Sequence, residues 1–185
     1  MTGLYILLGL VVVLLVGAVT IYNRLVTNKN MVAEGWSGID VQLKRRTDLI
    51  PNLIEAVKGY MGHERGVLEK VTELRHQSLA TQGVGDKAKV EGALGAALGN
   101  LLAVAENYPD LKASANFIQL QQSLADIEDQ IQLARRYYNG AARNFNILIQ
   151  SFPSNLVAGT FHFTPVEYFE IEDAAERAVP KVSFP

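Results

Sequence analysis

Apolar side chains recur at alternating steps of four and three residues along most of this chain, a spacing that predicts long helices. Three series of this kind cover residues 32–75, 90–108 and 117–152. Such a repeat is typical of a helical bundle or a coiled coil. We therefore predict an all-α fold: a single N-terminal transmembrane helix, followed by an up-and-down bundle of three to four long antiparallel helices.

The predicted membrane helix is the uncharged apolar stretch from Gly3 to Ile21, which is 19 residues long. As a helix it spans roughly 28 Å, close to the thickness of a bilayer's hydrocarbon core. Tyr22 and Arg24 then supply the aromatic and basic residues that are common at a membrane interface. A cleaved signal peptide is the alternative, but the segment lacks a charged n-region and no Ala-x-Ala site follows it.

The charges next to this segment predict its orientation. Only the α-amino group precedes it, whereas Arg24, Lys29 and the run 44–46 follow it. The positive-inside rule then places the N-terminus outside and the C-terminal domain in the cytoplasm of a single-pass cell-membrane protein. The opposite orientation is the alternative, because the rule depends here on few charges.

The predicted organisation has three parts: a transmembrane anchor over residues 1–23, a helical bundle over 24–153, and a C-terminal tail over 154–185. We expect aromatic residues of the tail to pack it on the bundle, and a short acidic helix near Asp173–Ala178. A flexible tail that binds a partner is the alternative.

The stretch from Gln42 to Leu53 stands out within the first helical series. Pro51 should kink or break the helix, because proline donates no backbone hydrogen bond and its ring crowds the preceding turn. Arg46 and Glu64 occupy positions where the repeat calls for apolar residues. If buried, each needs a partner on another helix; the alternative is that these long side chains reach outward to water.

A polar row beside the apolar positions of the third series offers such partners: Glu128, Arg135, Asn139 and Asn146. Antiparallel packing would pair Arg46 with Glu128 and Glu64 with Arg135. We therefore predict that these side chains form a structural polar network, with Pro51 as the bend of the first helix.

The second series carries Gly92, Gly95 and Gly99 and follows a glycine-containing loop, with Asp86 as the expected N-cap. Glycines lower helix propensity, so we expect these three to permit close packing against a neighbouring helix. Gly-x-x-x-Gly also promotes dimerisation of membrane helices. This segment is only moderately apolar and contains Glu106, so we do not expect a second span.

Composition and charge exclude several classes of function. Lys and Arg number 17 and Asp and Glu 19, which gives a net charge of −2 and no field suited to nucleic acid. The absence of cysteine excludes disulfides, thiolate metal ligands and cysteine nucleophiles. The signs are uneven: residues 24–46 are mainly basic, and residues 166–185 mainly acidic.

Candidate catalytic motifs are incomplete. His63-Glu64 begins like a zinc-protease motif, but Val67 stands where the second histidine is needed. Glu73 and His76 match the Glu-x-x-His of di-iron bundles, but the chain has no second copy. We predict no catalytic residue, no metal site, no cofactor and no small-molecule substrate, and hence no enzyme; a metal-dependent enzyme using Glu73 and His76 is the lesser alternative.

Several ordered motifs resemble the LemA family of bacterial membrane proteins across nearly the whole chain. They include Gln42-Leu-Lys-Arg-Arg-Thr-Asp-Leu-Ile-Pro-Asn-Leu53, Tyr108-Pro-Asp-Leu-Lys112, Phe117-Ile-Gln-Leu-Gln121, Ala134-Arg135, Tyr138-Asn139 and Phe152-Pro153. The resemblance implies an N-terminal membrane helix and a cytoplasmic helical bundle, without an established reaction. It also implies membrane organisation, through a magnetosome-associated branch, and links to membrane proteases in some members.

The function expected from these features is a membrane-anchored helical scaffold that self-associates and organises membrane or partner proteins at the cytoplasmic face. Its partners would be the lipid bilayer and further copies of the chain, since symmetric homo-oligomers are common. The alternative is an adaptor that recruits a membrane protease or other membrane protein through the basic stretch 44–46 or the acidic tail.

Overall fold

A computed structural model describes residues 1–61 and 64–170 of the chain. The helices within these ranges are α1 (Thr2–Lys58), α2 (Arg65–Ala80), α3 (Val84–Ala105), α4 (Pro109–Lys112), α5 (Ala115–Gln150) and α6 (Ser154–Thr160). The predicted all-α class is confirmed: the described residues form no strand, and an N-terminal apolar helix is followed by helices that pack together.

Among the described residues, two helices are long and apolar enough to cross a membrane, α1 and α3. The apolar window of α1 is entirely exposed, whereas a third of the window in α3 is buried within the protein. Exposure of so many apolar side chains to water would be costly, so the N-terminal part of α1 fits a membrane anchor. Helix α3 fits the alternative of a core helix, because its buried face lies inside a packed bundle.

The chain forms two compact units, and helices α1 and α5 contribute to both. Unit 1 comprises residues 1–40 and 133–168, and unit 2 comprises residues 41–132 together with the described residues from Phe169. These bounds reflect packing. The predicted bounds (1–23, 24–153 and 154–185) reflect membrane crossing and helix-breaking residues, and they stay a prediction.

Unit 2 is a bundle in which the C-terminal part of α1 packs with α2, α3 and the N-terminal part of α5. Each helix turns one apolar stripe inward, as the repeat predicts. The core includes Ile50, Leu53, Val57, Val71, Leu74, Leu94, Leu98, Leu101, Phe117, Leu120 and Leu124. Leu111 of the short helix α4 is fully buried beside them.

Unit 1 joins α1 to the C-terminal half of α5, with α6 and an extended segment that follows it. Aromatic rings provide much of this packing: Tyr22 contacts Phe161 and Phe163, with ring centroids 4.7 and 5.9 Å apart. Trp36 packs edge-on against Tyr138 at 5.8 Å. Gly35 allows the close approach of α1 and α5, since a Cβ there would lie 3.0 Å from the Tyr138 Cα.

Some local expectations are wrong. Helix α1 continues through Pro51 to Lys58 and α2 begins at Arg65, so the proline does not break the helix; the predicted kink at Pro51 stays a prediction. Asp86 is not an N-cap but lies in the first turn of α3, which begins after Gly83. Phe152 was the last apolar position of the third series, yet it is 80% exposed, because α5 ends at Gln150.

The expected acidic helix near Asp173–Ala178 lies outside the described residues, as do residues 171–185 of the tail 154–185 whose packing on the bundle was predicted. The described part of the tail forms α6 and the extended segment, and it ends with the buried side chain of Phe169 and with Glu170. His63 also lies outside the described residues.

Candidate functional site

The polar centre of unit 2 is Arg46, whose side chain is buried between helices. Its Nη1 donates a hydrogen bond of 2.5 Å to the Glu128 carboxylate on α5. Its Nη2 donates to the Glu91 carboxylate on α3, and also to the Glu91 backbone carbonyl oxygen at 3.2 Å. One guanidinium therefore joins α1, α3 and α5, and its two ion pairs offset part of the cost of burying the charge.

Glu91 is the second centre of this cluster and is fully buried. Besides Arg46, it accepts a hydrogen bond of 2.5 Å from the Ser78 hydroxyl of α2. Lys87 lies 3.5 Å from the same carboxylate oxygen and donates to the Ser78 carbonyl oxygen at 2.6 Å. Two cations thus face two anions, so the cluster of Arg46, Glu91, Glu128, Ser78 and Lys87 (the ion cluster) is balanced in charge.

Sequence reasoning brought Arg46 and Glu128 together but missed Glu91. The predicted α3 stripe ran through Val90, whereas the buried stripe runs through Ala88, Glu91, Leu94, Leu98, Leu101 and Ala105. The sequence did contain a signal for a buried Glu91. The 14 residues that follow it carry no charge, and four apolar residues at steps of three and four place Glu91 on the same helix face as themselves. An acid in such a stripe is a suitable partner for an arginine in another stripe.

The proline in α1 is accommodated by a side chain rather than by a break. Pro51 has no N–H to donate to the carbonyl oxygen of Thr47, four residues earlier. The Nε of Arg75, on α2, donates to this same oxygen at 2.8 Å. Arg75 therefore supplies the hydrogen bond that proline cannot make, which explains how α1 continues through Pro51 with its backbone acceptor satisfied.

The remaining members of the predicted polar network are not brought into the ion cluster. Glu64 precedes α2 and accepts hydrogen bonds from Val67 and Leu68 through its backbone carbonyl oxygen. Arg135 and Asn139 are half-buried residues of unit 1, whereas Glu64 belongs to unit 2. The expected pairing of Glu64 with Arg135 stays a prediction.

Asn146 has a different role, within unit 1. Its side-chain amide donates to the Val166 carbonyl oxygen and accepts from the Val166 backbone N–H, both at 2.9 Å. The Tyr138 hydroxyl donates to the Glu167 carbonyl oxygen at 2.8 Å. These two α5 side chains hold the extended segment after α6, as a neighbouring strand would. Burial raises the pKa of the Tyr138 phenol, and the nearby Glu167 charge adds to this effect.

The glycines of α3 differ from one another in their surroundings. A Cβ at Gly95 would lie 3.8 Å from Nη1 of Arg46, so this glycine leaves space beside the guanidinium. Gly92 is half-buried. Gly99 is exposed and a Cβ there would meet no described atom within 4 Å, so the predicted close packing is wrong for Gly99 within this chain.

The ion cluster is suited to holding helices together. Its acidic oxygens already accept hydrogen bonds from Arg46 and Ser78, and Arg46, Glu91 and Ser78 are buried. Within residues 1–61 and 64–170, no group of three or more His, Asp or Glu side chains is arranged to hold a metal ion. Glu73 is exposed and pairs with Lys70 at 3.0 Å, and His76 is exposed on the same helix.

Comparison with known proteins shows which family and which proteins the chain resembles. A model of the LemA family matches residues 35–184. Magnetosome protein MamQ 2 from Paramagnetospirillum magneticum is 28% identical over 184 residues, which cover 85% of this chain and 68% of the relative. Protein LemA from Metamycoplasma hominis is 30% identical over 153 residues, covering 82% of this chain and 69% of the relative.

The family match includes the residues that build the ion cluster and the Asn146 and Tyr138 contacts. It covers far more than half of the chain, and the relatives span most of it as well. The protein therefore belongs to the LemA family.

Proposed function

We propose that this LemA family member is a membrane-anchored helical scaffold that self-associates and organises partner proteins at the cytoplasmic face. The observation that carries the proposal is the continuity of α1. Its exposed apolar residues belong to the same uninterrupted helix as Leu25, Val32 and Ile39, which are buried in unit 1. An anchor joined in this way fixes unit 1 to the membrane without a flexible linker.

The ion cluster supports a scaffold rather than a reaction centre. Its charged groups are directed at one another, and a buried ionic group that must be paired is a known device for fixing helix register. A bundle with fixed register presents a constant outer surface, which is what a scaffold needs. The relatives named as magnetosome proteins make an organising role a natural one to test.

Topology can be tested with single cysteines, because the chain contains none of its own. T2C and Q121C would be labelled with an impermeant maleimide in intact cells and in inverted vesicles. We expect Q121C to react only in inverted vesicles and T2C only in intact cells. The reverse pattern would contradict the cytoplasmic placement.

Self-association can be tested by light scattering on the detergent-solubilised full chain, and by crosslinking of the same cysteine variants in membranes. We expect a defined oligomer by both methods. A strict monomer at all usable concentrations, without crosslinks in the membrane, would refute the self-association part of the proposal.

The contacts made within the basic stretch 44–46 make this stretch a weaker candidate for recruiting a partner in the adaptor alternative. Arg46 is committed to the ion cluster, and exposed Lys44 pairs with Asp48 at 3.2 Å. The acidic tail is then the better candidate for recruiting a partner. Deletion of residues 171–185 tests it, since this deletion keeps buried Phe169; loss of partner capture with unchanged helicity would favour the adaptor.

A further inference from the structure

The end of α5 and the helix α6 expose several large apolar side chains in unit 1. Phe152 is 80% exposed, Leu156 61%, Phe161 57% and Ile147 55%. These residues lie at and around the turn between the two helices, here called the α5–α6 elbow (residues 147–161). Exposed apolar surface of this kind marks a contact with a protein or a membrane.

The elbow lies beside the membrane end of α1. The Tyr22 ring, directly after the apolar stretch, packs on Phe161 with centroids 4.7 Å apart. Phe152 lines the same groove as Ile21, the last residue of that stretch. If residues 3–21 cross the bilayer, the elbow is therefore at the height of the interface, where aromatic side chains are favoured.

A groove of about 520 Å³ lies between α1 and the end of α5, next to the elbow. One wall carries Arg24 and Asn28, and the other carries Asn144 and Ser151 beside the apolar Ile147 and Phe152. Arg24 is the charged member of this lining, and among the described residues its guanidinium makes no ion pair. The Arg24 guanidinium suits a phosphate, and the apolar Ile147 and Phe152 in the same mixed lining suit the acyl chain attached to it.

We propose that the α5–α6 elbow inserts into the membrane interface and that the groove beside it holds a membrane phospholipid, with its phosphate on Arg24. This inference rests on the proposed membrane anchor and adds a second contact with the bilayer. Two contacts would fix the tilt of unit 1 at the membrane, which a single span does not.

The depth of the elbow can be measured on the full chain reconstituted in vesicles of phosphatidylcholine and phosphatidylglycerol. F152C and L156C would carry an environment-sensitive fluorophore, and lipids labelled with nitroxide would quench it. L133C is the matched control: Leu133 is also an exposed apolar residue of α5, 50% exposed, but roughly 25 Å before the end of the helix. We expect strong quenching at both elbow positions and little at position 133.

The lipid can be tested by native mass spectrometry of the purified full chain, with phosphatidylglycerol as the probe. Loss of one basic contact should reduce lipid retention about fivefold in R24Q. R136Q is the control for charge, since Arg136 is an exposed arginine of α5 outside the groove. Equal retention by R24Q and R136Q would overturn the headgroup assignment.

Failure of the inference and failure of the anchor are distinguishable. If the chain floats with vesicles after alkaline extraction but fluorophores at 152 and 156 are quenched no more than at 133, the elbow proposal is wrong and the anchor stands. If the chain does not float, the proposed anchor is wrong and the elbow proposal falls with it.

Discussion

The two units stabilise their interiors with different polar chemistry. Unit 2 buries ionisable groups: Arg46 and Glu91 lie among apolar residues, and each faces a group of opposite charge. Unit 1 buries neutral groups: Tyr138 and Asn146 make hydrogen bonds to the backbone of an extended segment. A buried ion pair is costly to desolvate but far more costly to break, whereas a neutral hydrogen bond contributes about 1 kcal/mol.

This difference suggests a division of roles. The ion cluster favours the correct register of four helical segments, because a shifted helix would leave a buried charge unpaired. The neutral contacts of unit 1 hold a segment without regular structure against a helix, where backbone groups need partners. The predictions below test this contrast, from the largest expected effect to the smallest.

Replacing Arg46 by methionine should destabilise unit 2 by about 3–5 kcal/mol, because Glu91 would stay buried without its cation. Amide hydrogen exchange of peptides from residues 41–132 would measure the loss, since it reports each unit separately. Exchange from unit 1 should change less.

Two further variants isolate the cause. R46M/E91M removes both buried charges and should recover much of the lost stability. R45M changes the exposed neighbour and should have an effect within about 0.5 kcal/mol. If R46M and R45M behaved alike, the ion cluster would have no special role and the contrast between the units would fail.

Replacing Gly35 by alanine should destabilise unit 1 by about 1–3 kcal/mol, because the added Cβ would be forced against the α5 backbone at Tyr138. Gly38, one turn further along the same helix, is the control, since a Cβ there meets no described atom within 4 Å. G38A should stabilise the helix by up to about 1 kcal/mol. The two variants should change the hydrogen exchange of residues 21–40 in opposite directions, which would show that the stability of unit 1 depends on close packing rather than on ions. A change in the same direction would contradict this.

Replacing Arg75 by alanine should cost about 1–2 kcal/mol, because the Thr47 carbonyl oxygen would lose the donor that stands in for the missing proline N–H. In a P51A background, the backbone N–H at position 51 can donate to this oxygen, so the same replacement should cost less. The coupling energy from this double-mutant cycle, measured by hydrogen exchange of unit 2, checks the account. Additive effects would show that Arg75 does not compensate for Pro51.

The sequence predicts the elements that follow from periodicity and leaves out those that depend on three-dimensional neighbours. The helical class and the burial of Phe117, Leu120 and Leu124 follow from steps of three and four. The pairing of Arg46 with Glu128 follows because a charge in an apolar stripe needs a partner. Glu91 was missed because α3 has two possible apolar stripes, one starting from Val90 and one from Glu91. They are offset by one residue, and the apolar residues that follow fit either of them.

The fate of Pro51 could not be predicted from local rules. Those rules predict a kink or a break at the proline; α1 continues through it, and Arg75, 24 positions later, satisfies the freed carbonyl oxygen. The exposure of Phe152 was equally hard to predict. Its position in the repeat is apolar, and it lies outside the core only because α5 ends before it. At the sites where these rules fail, a distant side chain or a helix end decides the outcome.

The smallest effect at neutral pH, and the one most specific to unit 1, concerns Tyr138. Its buried phenol has a pKa above the ordinary value of 10.0, so the folded protein holds this proton more tightly than the unfolded chain does. The resulting stability is fully present below about pH 10 and is lost as the pH rises from there through the pKa of the folded state. Urea unfolding at pH 8 and above pH 10 should therefore show a larger loss for the wild type than for Y138F, which cannot ionise at this position. An equal loss in both proteins would mean that the buried phenol does not contribute to the alkaline sensitivity of unit 1.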